Sequence, residues 1–165
     1  MGRMLQGVNH VTTVTKDMDR LVQFYERVFD ATKLVEIPIP RPEGGRHCLI
    51  DLGQGMTLHA FEMPGTPEPN RDQPMFSRGA IDHFALQVQD ADAFEELRHR
   101  LIDCGASDGV VTDFGVMSNV GFRDPDGLWC EIARWYQSMD PSDIDMAMAT
   151  DANLGTAGGG QGSIN

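Results

Sequence analysis

The sequence predicts an α+β fold in which a βαβββ module occurs twice. The main observation is an internal repeat, because VNHVTTVTKDMDRLVQFYERVF from Val8 aligns with IDHFALQVQDADAFEELRHRLI from Ile81. Each copy begins with an apolar residue, a polar residue and His, continues as an alternating strand, and passes through an Asp into an amphipathic helix. A later part repeats as well, since GMTLHAFE from Gly55 aligns with GLWCEIAR from Gly127. Two copies of one module explain both matches.

The elements of each module follow in the same order. Apolar residues recur at helical spacing in both predicted helices: Leu21, Phe24, Tyr25 and Val28 in the first, and Phe94, Leu97 and Leu101 in the second. Three strands follow each helix, namely LVEIPI, HCLIDL and GMTLHAFE in the first module and VVTDFG, NVGFRD and GLWCEIAR in the second. The last strand of the second module begins directly after a DPDG turn. In this turn Pro125 presets φ and Gly127 accepts a positive φ.

Changes in composition divide the chain. We predict one domain over residues 5–137, with module 1 at about 5–64, a Pro-rich linker at 65–78 and module 2 at about 79–137. Residues 138–165 are acidic and rich in Gly and Ala, with little to bury, and we expect a flexible tail there. At most, a short helix starts at Ser142 and reaches about Ala149.

Charge and cysteine content bound the partners and the compartment. The formal net charge is -12, and no basic stripe exists to bind a nucleic-acid backbone. No apolar run approaches the length of a membrane span, and the N-terminus lacks a signal-peptide core. Cys48, Cys104 and Cys130 are odd in number, widely spaced and set in apolar surroundings, so we expect buried free thiols. A cytoplasmic protein without nucleic-acid or membrane partners is predicted.

Four potential metal ligands occupy matching positions of the repeat. His10 matches His83, and His59 matches Glu131. Strand alternation places each on the face that does not carry the helix of its module. If the two sheets close face to face, the four side chains converge. A lone strand His is more often structural, but three imidazoles and a carboxylate at repeat positions suit Zn, Fe(II), Mn, Ni or Co.

Other polar residues have weaker patterns. His99 lies on a helix crowded with charge and is interpreted as solvent-facing. His47 follows a Gly-Gly pair in a loop or at a strand start and has no repeat partner, so it is not taken as a candidate ligand. Arg41, Arg46 and Arg71 lie in predicted loops near the candidate ligands. Any one of these arginines is a candidate to hold a substrate carboxylate.

The repeat, the VNH and IDH strands and the DPDG-x-x-x-E segment of residues 124–131 resemble the vicinal oxygen chelate superfamily. That superfamily includes glyoxalase I, methylmalonyl-CoA epimerase, fosfomycin-resistance proteins, extradiol dioxygenases and bleomycin-binding proteins. The resemblance spans roughly residues 5–137. It implies two βαβββ modules paired into a cup-shaped, partly closed mixed sheet, formed within one chain or across a homodimer.

The resemblance also implies a ligand set and a chemistry. His10, His83 and Glu131 match the three ligand positions shared by most metal-dependent branches, while His59 stands at the fourth position, where glyoxalase I carries Glu. The implied function is a lyase or isomerase of the glyoxalase or epimerase type. Such an enzyme chelates vicinal oxygens of a small-molecule substrate and stabilises an enolate, with Glu131 as the catalytic proton carrier.

Two alternatives remain open on the same residues. One is an Fe(II) extradiol-type dioxygenase, in which His59 does not bind the metal. The other is a metal-free drug- or small-molecule-binding protein of the bleomycin-resistance type. Four protein ligands leave two octahedral positions, enough for a chelating substrate but not for O2 in addition. Whether His59 is a ligand therefore separates the first interpretation from the dioxygenase.

Overall fold

A computed structural model describes residues 4, 7–40, 42–68 and 81–136, and the chain divides into two compact units, Met1–Asn70 and Arg71–Asn165. The N-terminal unit contains β1 (His10–Thr15), α1 (Met18–Phe29), β2 (Thr32–Pro38), β3 (Arg46–Asp51) and β4 (Thr57–Glu62). The C-terminal unit contains β5 (Phe84–Gln87), α2 (Ala91–Asp103), β6 (Val111–Asp113), β7 (Met117–Arg123) and β8 (Trp129–Trp135). Residues 69–78 of the predicted linker and the tail at 138–165, with its expected short helix, lie outside the described residues.

The two units share one topology. Their four-stranded sheets have the orders β1-β4-β3-β2 and β5-β8-β7-β6. In each sheet the first and last strands of the module pair in parallel, and the other neighbours pair antiparallel. The predicted α+β class and the two βαβββ modules with mixed sheets are therefore confirmed.

The core of the N-terminal unit lies between α1 and one face of its sheet. Asp17 caps the helix, and its side chain accepts a hydrogen bond from the backbone N–H of Arg20 at 3.0 Å. The helix and the sheet together bury Met18, Leu21, Val22, Tyr25, Cys48, Ile50, Leu58 and Ala60. Because side chains of a strand alternate, the residues between these core positions of β3 and β4 lie on the face that α1 leaves uncovered.

The C-terminal unit repeats this arrangement. Asp90 caps α2 by accepting from the backbone N–H of Ala93 at 2.9 Å. Phe94 and Leu101 are the buried residues of the helix. The sheet contributes Val120, Phe122, Cys130 and Ile132, all fully buried. Glu131 thus lies between two core residues of β8, on the opposite face of the strand.

The cysteines and the helices test two of the sequence-based expectations. Cys48 and Cys130 are buried free thiols as predicted, and burial raises the pKa of the Cys48 thiol. The prediction for Cys104 was wrong, since this residue follows the last turn of α2 and is exposed. Within the described part of the chain, no helix is long and apolar enough to cross a membrane.

Candidate metal centre

Two candidate ligands meet in the N-terminal unit. His10 opens β1 and His59 lies in β4, and the parallel register pairs His10 with Thr57 and Thr12 with His59. The two imidazole rings stack with their centroids 4.3 Å apart and their planes inclined by 17°. Leu58 and Ala60, on either side of His59, point into the core. The alternation of β4 therefore places His59 beside His10 on the uncovered face.

The other two candidate ligands meet in the C-terminal unit. His83 immediately precedes β5, and Glu131 pairs with Ala85 across the parallel β5–β8 ladder. The Nε2 atom of His83 lies 3.8 Å from Oε1 of Glu131. Cys130 and Ile132, on either side of Glu131 in the strand, face the core, so Glu131 points to the opposite face. Even there, Glu131 is only 9% exposed. A carboxylate withdrawn from water in this way needs a partner, and His83 is the basic group that approaches it.

The DPDG turn fixes the start of the strand that carries Glu131. Asp124 is 2% exposed, and its Oδ1 atom accepts hydrogen bonds from the backbone N–H groups of Asp126 and Leu128, both at 2.9 Å. Gly127 has φ 77°, in the region that L side chains rarely adopt. The turn thereby sets the point at which β8 begins, and with it the face on which Glu131 lies.

In each unit, the residue before the first His holds the imidazole. The Nδ1 atom of His10 lies 2.8 Å from Oδ1 of Asn9, and that of His83 lies 2.9 Å from Oδ2 of Asp82. Amide and carboxylate oxygens accept hydrogen bonds, so each Nδ1 donates, and Nε2 is then the nitrogen that bears the lone pair of the neutral ring. Histidines that bind metals commonly have their second nitrogen held in this way. His10 and His83 thus each have the donor chemistry of a metal-binding histidine.

The charge state of His59 favours the same chemistry. Burial, followed by the nearby His10 and His47 imidazoles, lowers the pKa of His59 below its ordinary value. A lower pKa keeps the ring neutral at physiological pH, and the neutral imidazole is the form that binds a metal.

His47, which was not among the candidate ligands from the sequence, lies on the same face of the sheet. It lies in β3, opposite Phe61 of β4, and its ring stacks on the Phe61 ring with centroids 4.1 Å apart. Its centroid is 5.2 Å from that of His59. The sequence carried a signal for this position, because Cys48 and Ile50 of RHCLID face the core and His47 must then face the other way.

Arg46, considered as a possible anchor for a substrate carboxylate, is paired with carboxylates of the protein itself. It lies in β3 rather than in a loop, and its guanidinium donates to Glu62 at 2.7 Å, Asp19 at 3.1 Å and Glu36 at 3.3 Å. The Glu62 and Asp19 carboxylates raise the pKa of Arg46 further above its ordinary value. An adjoining cavity of about 410 Å³ is lined by Lys16, Gly45, Arg46, Glu62, Met63, Pro64, Gly65 and Thr66, and contains no candidate ligand. Arg41 and Arg71 lie outside the described residues, and His99 is exposed as expected.

The structure thus brings the four candidate ligands together as two pairs, each within its own unit. Over the described ranges 4, 7–40, 42–68 and 81–136, no group of three or more His, Cys, Asp or Glu side chains is arranged as one metal ion requires. That both pairs serve one ion remains a prediction.

The sequence matches the model of a known family over most of the described chain. The match covers residues 7–132 and is to the Glyoxalase/Bleomycin resistance protein/Dioxygenase superfamily. The chain belongs to this superfamily. The resemblance found from the repeat and the DPDG-x-x-x-E segment is thereby confirmed. No curated protein matches the chain.

Solved structures of the superfamily share the fold. A glyoxylase/bleomycin resistance protein/dioxygenase domain from Frankia sp. EAN1pec is 24% identical, with a TM-score of 0.68, covering 79% of this chain and 98% of its own. Glyoxalase I from Leishmania major is 20% identical, with a TM-score of 0.62 and coverages of 87% and 96%. A mutant of the fosfomycin resistance protein FosX from Listeria monocytogenes, in complex with Mn(II) and 1S,2S-dihydroxypropylphosphonic acid, is 18% identical, with a TM-score of 0.60 and coverages of 82% and 96%. At these identities, the likeness establishes the fold alone.

Proposed function

We propose that the protein is a divalent-metal-dependent lyase or isomerase of the glyoxalase or epimerase type, with His10, His59, His83 and Glu131 as the ligands of one ion. The observation that carries the proposal is the repeated donor pair. In each unit, a His with its Nδ1 held by the preceding residue lies beside a second donor from the last strand of the module. Duplication brings the same positions together in both units, and in each unit both positions carry a side chain that can bind a metal.

The donor set limits the metal. Imidazole and carboxylate groups suit Zn, Fe(II), Mn, Ni and Co, and the FosX neighbour is complexed with Mn(II). When bound, such an ion supplies Lewis acidity that stabilises negative charge on two neighbouring oxygens of a small-molecule substrate. The compound bound in that complex, 1S,2S-dihydroxypropylphosphonic acid, carries two hydroxyl groups on adjacent carbons.

Glu131 is the residue assigned to proton transfer. Its carboxylate is 9% exposed and lies 3.8 Å from His83, so water competes little for it and a basic group remains beside it. Glu131 accepts a proton from the carbon next to the bound oxygens and returns it to that carbon or its neighbour. Return to the neighbouring carbon gives isomerisation, whereas return to the same carbon gives epimerisation only when the proton reaches the opposite face of that carbon.

The position of His59 favours this reaction over ring cleavage by a dioxygenase. Its ring is stacked on His10 at 4.3 Å, and burial keeps it neutral by lowering its pKa. A fourth protein ligand leaves no octahedral position for O2 once a chelating substrate has bound.

Two further expectations accompany the proposed function. We propose a homodimer, as in the superfamily named from the sequence, and a cytoplasmic location, in which the buried thiols of Cys48 and Cys130 stay reduced. Size-exclusion chromatography with light scattering tests the first. A single species at the mass of one 18.2 kDa chain contradicts it.

Proton exchange tests the reaction class. The protein is loaded with Mn(II), Co(II) or Ni(II) and incubated in D2O with small α-hydroxy ketones and thiohemiacetals, and loss of the substrate α-proton is followed by NMR. We expect exchange in the wild type and a fall of about 100-fold or more in Glu131→Gln, the usual contribution of a general base. Absence of exchange in the metal-loaded wild type, together with O2 consumption in the presence of catechols, would instead support the dioxygenase.

A further inference from the structure

Asn119 of β7 is a buried amide without a protein partner. Its exposed fraction is 6%, and its side chain makes no hydrogen bond to any of the described residues. The amide atoms of Asn119 are not fully withdrawn from solvent. They can therefore bond a molecule that binds on their face of the sheet.

Strand pairing places Asn119 on the face that carries Glu131. Val120 and Phe122 of β7 are fully buried in the core, so Asn119 and Gly121 point to the opposite face. Across the β7–β8 ladder, Gly121 pairs with Glu131 and Asn119 pairs with Ala133. Asn119 is therefore a diagonal neighbour of Glu131, within reach of a molecule held against its carboxylate.

Small residues leave room for such a molecule. The direct partners of Glu131 on its two neighbouring strands are Ala85 and Gly121, which bear at most a methyl group. The Trp129 ring limits the space on one side, since a Cβ at Gly121 would lie 2.7 Å from its Cζ2 atom. On the side away from Trp129, Ala133 is flanked by Asn119 and Gln87. The Gln87 amide already donates to the carbonyl of Val88 at 2.9 Å, so of these two residues Asn119 is the one available to a bound molecule.

We propose that Asn119 is a substrate-binding residue whose amide hydrogen-bonds a hydroxyl or carbonyl oxygen next to the two oxygens that the metal chelates. The inference rests on the proposed function and extends it to a substrate class. A neutral amide offers two donors and one acceptor, which suits an uncharged hydroxyl- or carbonyl-bearing group. The substrates are therefore small hydroxycarbonyl compounds with a third oxygen. Sites built to bind a hydroxyl reject analogues that lack it, because their own polar group is then left unpaired.

Two hydroxamates test the assignment on the Mn(II)-loaded full chain. Acetohydroxamic acid presents only the two chelating oxygens, whereas glycolohydroxamic acid adds one hydroxyl. We expect the wild type to bind glycolohydroxamic acid about 10-fold more tightly, the value of one hydrogen bond. Asn119→Leu, of similar shape but apolar, should lose this preference while retaining Mn(II) and affinity for acetohydroxamic acid.

The matched control is Gln87→Leu, which removes another amide from the same face. Gln87 is exposed, and its amide already donates to the carbonyl of Val88 at 2.9 Å, so this variant should keep the preference. Asn119→Leu should unfold at about the same urea concentration as the wild type, because it removes no hydrogen bond to the described residues.

The outcomes separate the two proposals. A wild type that binds no Mn(II) contradicts the proposed function, and this inference with it. A wild type that binds Mn(II) and acetohydroxamic acid but shows no hydroxyl preference contradicts the inference alone. If Asn119→Leu still binds glycolohydroxamic acid more tightly than acetohydroxamic acid, Asn119 does not bind the hydroxyl and its role is structural. This conclusion holds whether or not the variant is less stable.

Discussion

Asn9 and Asp82, which precede the two matching histidines, show how single residues prepare this surface. Each accepts a hydrogen bond from the Nδ1 atom of its His, at 2.8 and 2.9 Å. The VNH and IDH motifs revealed the histidines by their place in the repeat. They did not reveal the role of the residue before each His, because neighbours along a strand point to opposite faces and are not expected to contact each other.

We predict that Asp82→Ala weakens metal binding without unfolding the protein. Loss of the carboxylate frees the His83 ring to rotate and to change tautomer, and losses of such partners lower metal affinity by about 10–100-fold. The affinity is measured by competition with a chelating dye. Asp103→Ala, which removes a carboxylate from the exposed end of α2, controls for the change in net charge. Equal metal affinities in the two variants would show that Asp82 does not position His83.

A second prediction at this scale concerns Glu62 and acid stability. The Arg46 hydrogen bond at 2.7 Å, and then the Met18 backbone N–H at 2.6 Å, lower the pKa of Glu62 below its ordinary 4.5. A depressed folded-state pKa contributes stability that is present above about pH 4.5 and is lost as the pH falls through the folded pKa. Glu62→Gln should therefore lower the free energy of unfolding by about 1–2 kcal/mol at pH 7, and by progressively less below pH 4.5.

Urea unfolding at several pH values between 7 and 3 measures this effect. Glu95→Gln is the control, since the Glu95 side chain is 53% exposed and pairs with Arg98 at the surface, where an ion pair contributes little. A constant difference between Glu62→Gln and the wild type from pH 7 to pH 3 would rule out linkage through this carboxyl.

At the scale of the elements, periodicity predicted most of the fold. Tyr25 and Leu101 were expected in helix cores and are fully buried there, and the alternation of VNHVTTV and GLWCEIAR marked β1 and β8. The alternation of β3 was present too, but His47 was judged by the absence of a repeat partner rather than by the faces of its neighbours. Arg46 could not be placed from the sequence, because its three carboxylate partners come from separate elements.

The DPDG turn supplies a prediction that joins an element to the candidate site. Asp124→Ala removes the acceptor of two backbone N–H groups in a buried turn, so the free energy of unfolding should fall by about 2 kcal/mol. Because the same turn starts β8, metal affinity should fall as well. Asp108→Ala is the control, since its carboxylate accepts one backbone N–H in an exposed loop.

Denaturation and dye competition measure the two effects of Asp124→Ala. If this variant loses stability but keeps the metal affinity of the wild type, the turn supports the fold without orienting Glu131.

At the scale of the whole molecule, duplication accounts for the site as well as for the fold. Both sheets have the same strand order, so a donor at the start of the first strand and another in the last strand recur in each unit. The sequence predicted the members of both pairs through this symmetry. It did not predict their surroundings, such as the unpaired amide of Asn119, because a side chain's hydrogen bonds depend on the complete fold.

Metal stoichiometry is the most direct test of the claim that both pairs hold one ion. Elemental analysis is made on reconstituted wild type, His59→Ala, Glu131→Gln and the exposed control His99→Ala. We predict one ion per chain in the wild type and the control, and a large loss in both pair variants, because each removes one donor of the same ion. Two ions per chain, or full occupancy in either pair variant at limiting metal, would contradict a single four-ligand centre.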